Sequence, residues 1–284
     1  MEILMLSDRI KKRFSFLTHH QKKIAEHFLS VDHEAAFFTI SQVARQFKTS
    51  ESTIVRFARA LGYKGYPDLQ EDLQESIRKK LSPPKALQKS MAKEPGGDIY
   101  SEVFEVDHEN LRKTRELNSN PSIEQAVQEI IRARRVGVTG FRSSHSIAYL
   151  LYFWLSQVRK NCDLLEFRLG SLPNQIINFG PQDLIIGISL PRYSRQTLAV
   201  LKYAKSNGCR TLAITDSPIS PLGQTADLTL LVGNRSSTYF NSLTSAVTLV
   251  NCLVAGVSLR NKHSLENLNL VNKVVTKWDY LLIK

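Results

Sequence analysis

The sequence predicts two domains, an all-α domain followed by an α/β domain with a parallel sheet flanked by helices. Three observations carry this. A chain of 284 residues exceeds the usual size of one domain. Residues 7–81 read as consecutive short helices, with apolar residues recurring every three or four positions. After Pro121 the rhythm changes to short apolar runs separated by helical stretches, as expected for strands buried on both faces. A hydrophobic content of 42% is enough for real cores and argues against global disorder.

The helical half begins with a helix over residues 21–31, which places Ile24, Phe28 and Leu29 on one side. Ile40, Val43, Ala44 and Phe47 then follow the i, i+3, i+4, i+7 spacing of an amphipathic helix. Thr39 with Gln42 three residues later forms a capping-box pattern in front of it. The next helix repeats the spacing with Ile54, Phe57, Ala58 and Leu61. Ser50 is its natural N-cap and Gly62 its natural stop. Pro67 suits the first turn of a further helix carrying Leu69, Leu73 and Ile77.

Residues 78–98 are rich in lysine and contain Pro83-Pro84, Pro95, Gly96 and Gly97. They read as a linker with room for one short helical piece. The expected division is therefore 1–81 for the helical domain, 82–98 for the linker and 99–284 for the α/β domain, its core over 123–260. A helix over 99–117 leads in, and another covers 123–132. Strands are expected over 136–139, 164–167, 184–189, 211–215 and 228–232. Helices are expected over 146–158, 173–177, 196–206 and 242–259. Leu268, Val271, Val274 and Val275 can line one side of a last helix.

The net charge of +12 fits a protein that meets nucleic acid or anionic ligands. Residues 1–67 hold 11 Lys/Arg against 6 Asp/Glu, so part of the excess lies in the helical half. Cys162, Cys209 and Cys252 are too widely spaced for a zinc site and read as buried free thiols of a reducing cytosol. The first ten residues lack an apolar core of signal-peptide length. No run of about 18 apolar residues suggests a membrane span. A cytoplasmic protein without cofactor, metal or membrane partner is expected.

Two constellations carry chemistry. In the first, Lys48-Thr49-Ser50 joins two short helices, as in a helix-turn-helix. The apolar face of the second helix leaves Ser52, Arg56 and Arg59 outward, where they can enter the major groove of double-stranded DNA. An Arg there can donate two hydrogen bonds to guanine. Ser50, Thr53, Lys48 and Lys64 are placed to hold phosphate oxygens. A solvated polar face on a small helical bundle explains the same periodicity without DNA.

In the second constellation, three strand-to-helix loops carry small hydroxyl residues. They are Gly140-Phe141-Arg142-Ser143-Ser144, the run from Ser189 to Thr197, and Thr215-Asp216-Ser217. Ligands of parallel α/β sheets sit beyond the carboxyl ends of the strands, where hydroxyls and helix N-termini form an anion pocket. Ser and Thr also cap helices with no ligand present. The candidate effector residues are Gly140, Arg142, Ser143, Ser144, Ser189, Arg192, Ser194, Arg195 and Thr197.

The run ISQVARQFKTSESTIVRFARALGYKGYPDLQ resembles the N-terminal domain of RpiR-type (MurR/RpiR) bacterial regulators. That family carries V-S-x-[AS]-T-[VI]-x-R-F-x-[RK]-x-L-G-[FY]-x-G-[FY]. Ser50, Ser52, Thr53, Ile54, Arg56, Phe57, Arg59, Leu61, Gly62, Tyr63, Gly65 and Tyr66 match, and Thr49 stands where Val is common. The second half resembles the sugar isomerase (SIS) domain, a flavodoxin-like fold, over residues 136–259. Its loop G-x-G-x-S keeps Gly140 and Ser144 but has Arg142 for the second Gly. Its loop S-x-S-G-x-[ST]-x-x-T keeps Ser189, Ser194 and Thr197, with Pro191 and Arg192 for the second Ser and the Gly. The run YAKSNGCRTLAITDSPISPLGQTADLTLLV follows the family pattern closely.

The resemblance implies a transcription regulator that binds a palindromic operator as a homodimer or homotetramer, with the SIS domain as dimerisation element and sensor. Loop serines of SIS domains generally hold a sugar phosphate. Arg142, Arg192 and Arg195 add positive charge, so a related acid is an alternative to a simple phosphosugar. The rival reading is a SIS-type phosphosugar isomerase or lyase with an accessory helical domain. Its chemistry needs a positioned acid or base. His145, Glu166 and Asp216 are the nearest candidates, and the segment Gly233-Asn234-Arg235-Ser236-Ser237 lacks the Glu that many RpiR-type proteins show there. No catalytic residue is assigned.

Overall fold

The computed structural model describes residues 6–30, 36–80, 82–92, 98–167, 171–280 and 282. By its internal contacts the chain divides into two compact units, Met1–Lys93 and Glu94–Lys284.

The first unit contains α1 (Leu6–Arg13), α2 (His19–Ser30), α3 (Ile40–Gln46), α4 (Glu51–Ala60), α5 (Tyr66–Lys80) and α6 (Pro83–Met91). Its core gathers Ile10, Ile24, Phe28, Val43, Ile54, Phe57, Leu61 and Leu69. The expected α3 capping box forms: Thr39 Oγ1 accepts from the Gln42 backbone and the Gln42 side chain accepts from the Thr39 N–H. Ser50 caps α4 through the Thr53 N–H. Residues 82–92, read as linker, hold α6 and cluster with the first unit. The Ile77 and Leu29 side chains lie outside the described ones, as does Val31.

The second unit runs α7 (Ile99–Leu117), α8 (Asn120–Arg132), β1 (Val136–Gly140), α9 (Ser144–Val158), β2 (Cys162–Leu164), α10 (Leu172–Ile176), β3 (Leu184–Ile188), α11 (Arg195–Ser206), β4 (Arg210–Thr215), β5 (Leu228–Leu231), α12 (Thr244–Arg260) and α13 (Ser264–Lys277). Among the described residues the sheet has five strands, all paired in parallel, in the order β2-β1-β3-β4-β5. Apolar residues alternate between its two faces. Leu184, Ile186 and Ile188 join α8, α9 and α12 in one core. Ile185 faces the opposite core with Leu172 and Ile176 of α10 and Val200 and Leu201 of α11.

The second strand departs from expectation. The apolar run over 164–167 suggested it, but β2 is Cys162–Leu164. Pairing register decides this: Val136 aligns with Cys162 and donates to Asn161 O, and Leu165 N makes the last bond, to Val138 O. Glu166 then leaves the ladder, and both its backbone groups bond to the Gln175 amide at 3.0 and 3.1 Å. α8 and α9 also begin earlier than expected, because Ser119 caps α8 three residues ahead and α9 takes in Ser144 and His145. The three cysteines are free. Cys252 is exposed rather than buried, because it falls on the outer side of α12.

The open edge of β5 is closed by polar side chains of α7, which the periodicity of apolar residues did not reveal. Asn110, Thr114 and Asn118 repeat every four positions and are buried together. Thr114 Oγ1 accepts from Gly233 N at 2.8 Å, and Asn110 Oδ1 from Arg235 N at 3.0 Å. A Cβ on Gly233 would lie 2.8 Å from Asn110 O, so only glycine permits this approach. Covering an edge this way removes a template for wrong strand pairing.

Candidate functional site

The helix-turn-helix is built by two helix ends. α3 stops in a Schellman arrangement: Thr49 N donates to Ala44 O, Lys48 N donates to Arg45 O, and Lys48 takes the left-handed φ of 50°. That turn sets α4 across α3, and Ser41 Oγ hydrogen-bonds Glu51 between the two helices. Ile54, Phe57, Ala58 and Leu61 are buried beneath α4. Ser52, Arg56 and Arg59 are exposed on its outer side. Lys48 and Lys64 are exposed at its two ends. Ser50 and Ser52 share a hydroxyl contact of 2.8 Å, and Arg56 Nη2 donates to Thr53 Oγ1 at 3.2 Å. Of the seven residues expected at DNA, six are exposed, from the turn to just past the end of α4, and Thr53 is half-buried.

The C-terminus of α4 repeats the Schellman pattern. Tyr63 N donates to Ala58 O and Gly62 N to Arg59 O, with Gly62 at φ 88°. Two side chains that the sequence reading missed reach this turn from α1. Arg13 Nη1 donates to Ala60 O at 3.0 Å, and Arg9 Nη1 to Gly62 O at 3.4 Å. Their one sequence signal is arginines four residues apart on a helix.

In the second unit the strand order reverses between β1 and β3, since β2 lies to one side of β1 and β3 to the other. Ligand crevices of doubly wound sheets form at such a point, beyond the carboxyl ends of the strands. Gly140 and Ile188 end these neighbouring strands side by side. The loops at 140–144 and 189–197 therefore start next to each other.

Within the first loop, a Cβ on Gly140 would come within 2.6 Å of Ser144 O, so glycine lets the α9 N-terminus sit against the strand. Ser144 is buried. Ser143 occupies the N-cap position of α9 without making a side-chain cap, and is exposed. In the second loop, Ser189 is buried and its Oγ accepts from Ser194 N at 2.9 Å. Ser194 caps α11, accepting from Thr197 N at 3.2 Å and donating to Gln196 at 3.0 Å. The Thr197 hydroxyl is fully buried without a hydrogen-bond partner. Arg142, Arg192 and Arg195 are exposed at the rim.

Arg142 and Arg192 have φ of 58° and 73°. These are the two positions where the SIS pattern has glycine and this chain does not. The backbone keeps the left-handed form that favours glycine, while the side chain is a cation. An L-residue there costs roughly 1–2 kcal/mol, and such strain concentrates at functional sites.

The third loop is tied to the second. Thr215 Oγ1 donates to Ser189 O at 2.9 Å, and Tyr193 OH donates to Asp216 at 3.0 and 3.2 Å. Asp216 therefore braces the loops. The segment after β5 joins them as well, because Asn241 Nδ2 donates to Pro191 O at 3.2 Å. His145 and Glu166, the other acid–base candidates, lie 3.3 Å apart.

Two open clefts lie elsewhere. One, of about 400 Å³, is lined by Tyr149, Tyr152, Asp163 and Asn174 beside β2. The other, of about 390 Å³, is lined by Arg132, Arg134, Asp183 and Arg210 near the start of β3. The hydroxyl-bearing loops at 140–144 and 189–197 instead follow the paired ends of β1 and β3, at the switch point of the sheet. Among the described residues no group of three or more His, Cys, Asp or Glu is arranged to hold a metal ion. No described helix is long and apolar enough to cross a membrane.

Comparison with known proteins decides the family. Residues 4–80 match the helix-turn-helix domain of the rpiR family, and residues 129–256 match the SIS domain. The sugar isomerase domain of an RpiR transcription factor from Sphaerobacter thermophilus is 32% identical, with a TM-score of 0.60, over 62% of this chain and 99% of that one. The chain belongs to the RpiR family. It is a helix-turn-helix transcriptional regulator with a SIS domain. The transcriptional regulator HexR of Pseudomonas aeruginosa is 27% identical over 264 residues, 90% of either chain. The Vibrio vulnificus NanR protein, solved with ManNAc-6P, shares the fold at 20% identity and a TM-score of 0.69, over 95% of this chain and 98% of its own.

Proposed function

We propose that this RpiR-family regulator reads a palindromic operator through α4 and that a small anionic metabolite in the β1/β3 crevice controls the reading. The observation that carries this is the pair of left-handed arginines, Arg142 and Arg192, flanking hydroxyl loops at the switch point of the sheet. The ligand class is a phosphosugar or a related phosphorylated acid. Ser143, Ser144, Ser189, Ser194 and Thr197 supply hydroxyls, the helix N-termini supply N–H groups, and Arg142, Arg192 and Arg195 supply charge. NanR, solved with a phosphorylated amino sugar, supports this class by its shared fold. Lys48, Ser50, Thr53 and Lys64 hold backbone phosphates in this reading, and Ser52, Arg56 and Arg59 face the bases.

The domain limits proposed are 1–81 for reading, 82–98 for connection and 99–284 for sensing. Two-fold pairing follows from the need for two half-sites about 34–36 Å apart. Tyr149, Phe153 and Trp154 of α9 and Leu265, Leu268 and Leu270 of α13 leave apolar surface exposed, which supports a second copy on the sensing domain. The protein acts in the cytoplasm, without catalysis, cofactor or metal.

The test is selection of a duplex from a randomised pool by the full chain, then a thermal-shift screen of phosphosugars, carboxylates and phosphorylated acids. A hit that also changes affinity for the selected duplex supports the reading. A chain that selects no duplex contradicts it.

One contact favours a second reading, the isomerase or lyase: His145 and Glu166 lie within 3.3 Å of each other and can act as acid and base. Turnover of a screened phosphosugar that is lost in Glu166→Gln would establish it.

A further inference from the structure

A reading helix must keep its angle as well as its residues. The turn at Lys48 fixes one end of α4, and at the other end the carbonyls of Ala60 and Gly62 are left to accept from outside the helix. Arg13 and Arg9, four residues apart on α1, place one guanidinium on each, at 3.0 and 3.4 Å. A third arginine, Arg59, donates from α4 itself to Lys64 O at 3.5 Å. Arg9 also lies 4.6 Å over the ring of Tyr63, the buried residue that closes the turn. Gly62 holds the turn at its left-handed φ of 88°, and the two guanidinium groups pack directly over it, 3.3 Å (Arg13 Nη2) and 3.5 Å (Arg9 Nη1) from where a Cβ would sit. Cations at the carboxyl end of a helix are also favoured by its dipole. The same device recurs in the second unit, where Arg159 donates to Ile130 O and Ala133 O at the end of α8.

We propose that Arg9 and Arg13 are positioning residues for DNA reading, clamping the C-terminal turn of α4 so that Arg56, Arg59 and Lys64 meet the duplex in one register. This rests on α4 as the reading helix, and α1 becomes part of the reading apparatus without touching bases. A clamp acts on selectivity. A direct phosphate contact would act on all DNA alike and on the salt dependence.

The experiment compares the full-length wild type with Arg13→Ala, Arg13→Gln and Arg9→Ala. The probes are the duplex selected by the wild type and poly(dI-dC), each titrated at several salt concentrations. Selection by the wild type tests the reading helix separately from the clamp. Arg13→Ala should lower the ratio of selected to non-specific affinity about tenfold with the salt slope unchanged. Arg13→Gln keeps the aliphatic stem but ends two bonds short of Nη1, so it should lose the ratio as Arg13→Ala does. Should Arg13→Ala unfold on thermal melting, Arg13→Gln and Arg9→Ala carry the comparison. The proposal is overturned if the variants keep wild-type selectivity, or if both probes weaken equally while the slope falls by about one unit.

Discussion

Asn118 pairs with both backbone groups of Leu231: its Nδ2 donates to Leu231 O at 2.6 Å, and its Oδ1 accepts from Leu231 N at 2.8 Å. A side-chain amide thus takes the place of a further strand at the edge of β5. Asn118→Ala would leave both groups unpaired in a partly buried setting. It should lower unfolding free energy by about 2–4 kcal/mol in a denaturant titration. A loss below about 0.5 kcal/mol would mean that water replaces the amide without cost.

Arg192 provides a test that separates strain from binding. Its φ of 73° suits glycine. Arg192→Gly should leave stability unchanged or raise it by up to about 1 kcal/mol, and Arg192→Val should lower it by roughly 1–2 kcal/mol. The glycine variant should nonetheless bind a phosphorylated acid more weakly, by about 1.5–3 kcal/mol if the guanidinium holds the second anion. Calorimetry with the screened metabolite reads both halves. Weaker stability in the glycine variant would mean that Arg192 is held by packing.

Acid should loosen the start of β3. Burial would raise the Asp183 pKa, but Arg134, paired at 2.7 Å, and the Gly180 N–H together bring it below its ordinary 3.8. A carboxyl lowered in the folded state stabilises the fold above its unfolded pKa. That contribution fades as pH falls from 3.8 through the lower folded value. The stability difference between wild type and Arg134→Ala should therefore be present at neutral pH and shrink below that point. A difference independent of pH would place the effect in packing.

The reading helix makes a paired prediction. Arg56→Ala should cost about 1–3 kcal/mol of discrimination between the selected duplex and random DNA. Lys64→Ala should weaken both similarly and reduce the salt slope by about one unit. Filter binding across a salt series reads both. Equal behaviour of the two variants would contradict their different roles.

How much of this was legible in the sequence varies by element. The α3–α4 pair was, because caps and apolar spacing are local: Thr39, Gln42, Ser50 and Gly62 all act within a few residues of where they stand. The strand order was not, since spacing says nothing about which strand crosses to which side. β2 was misplaced because its register is fixed by Val136, far away in the chain, while the nearby apolar run pointed onward. The α7 seam and the Arg9 and Arg13 clamp escaped for a related reason. They are polar side chains whose partners are backbone groups 47 to 125 residues away. In the effector loops the residue types were visible, but the left-handed backbone at Arg142 and Arg192 needed coordinates.

The account stands most directly on one measurement: affinity for the selected duplex with and without the screened metabolite, in wild type and in Ser144→Ala/Ser194→Ala. Ser194 also caps α11, so thermal melting must first show the double variant folded. A coupling of about 1–3 kcal/mol should change wild-type affinity some 5–150-fold. The double variant should bind the duplex as the wild type does and lose that change. A full response in the double variant would place the sensor outside the β1/β3 crevice.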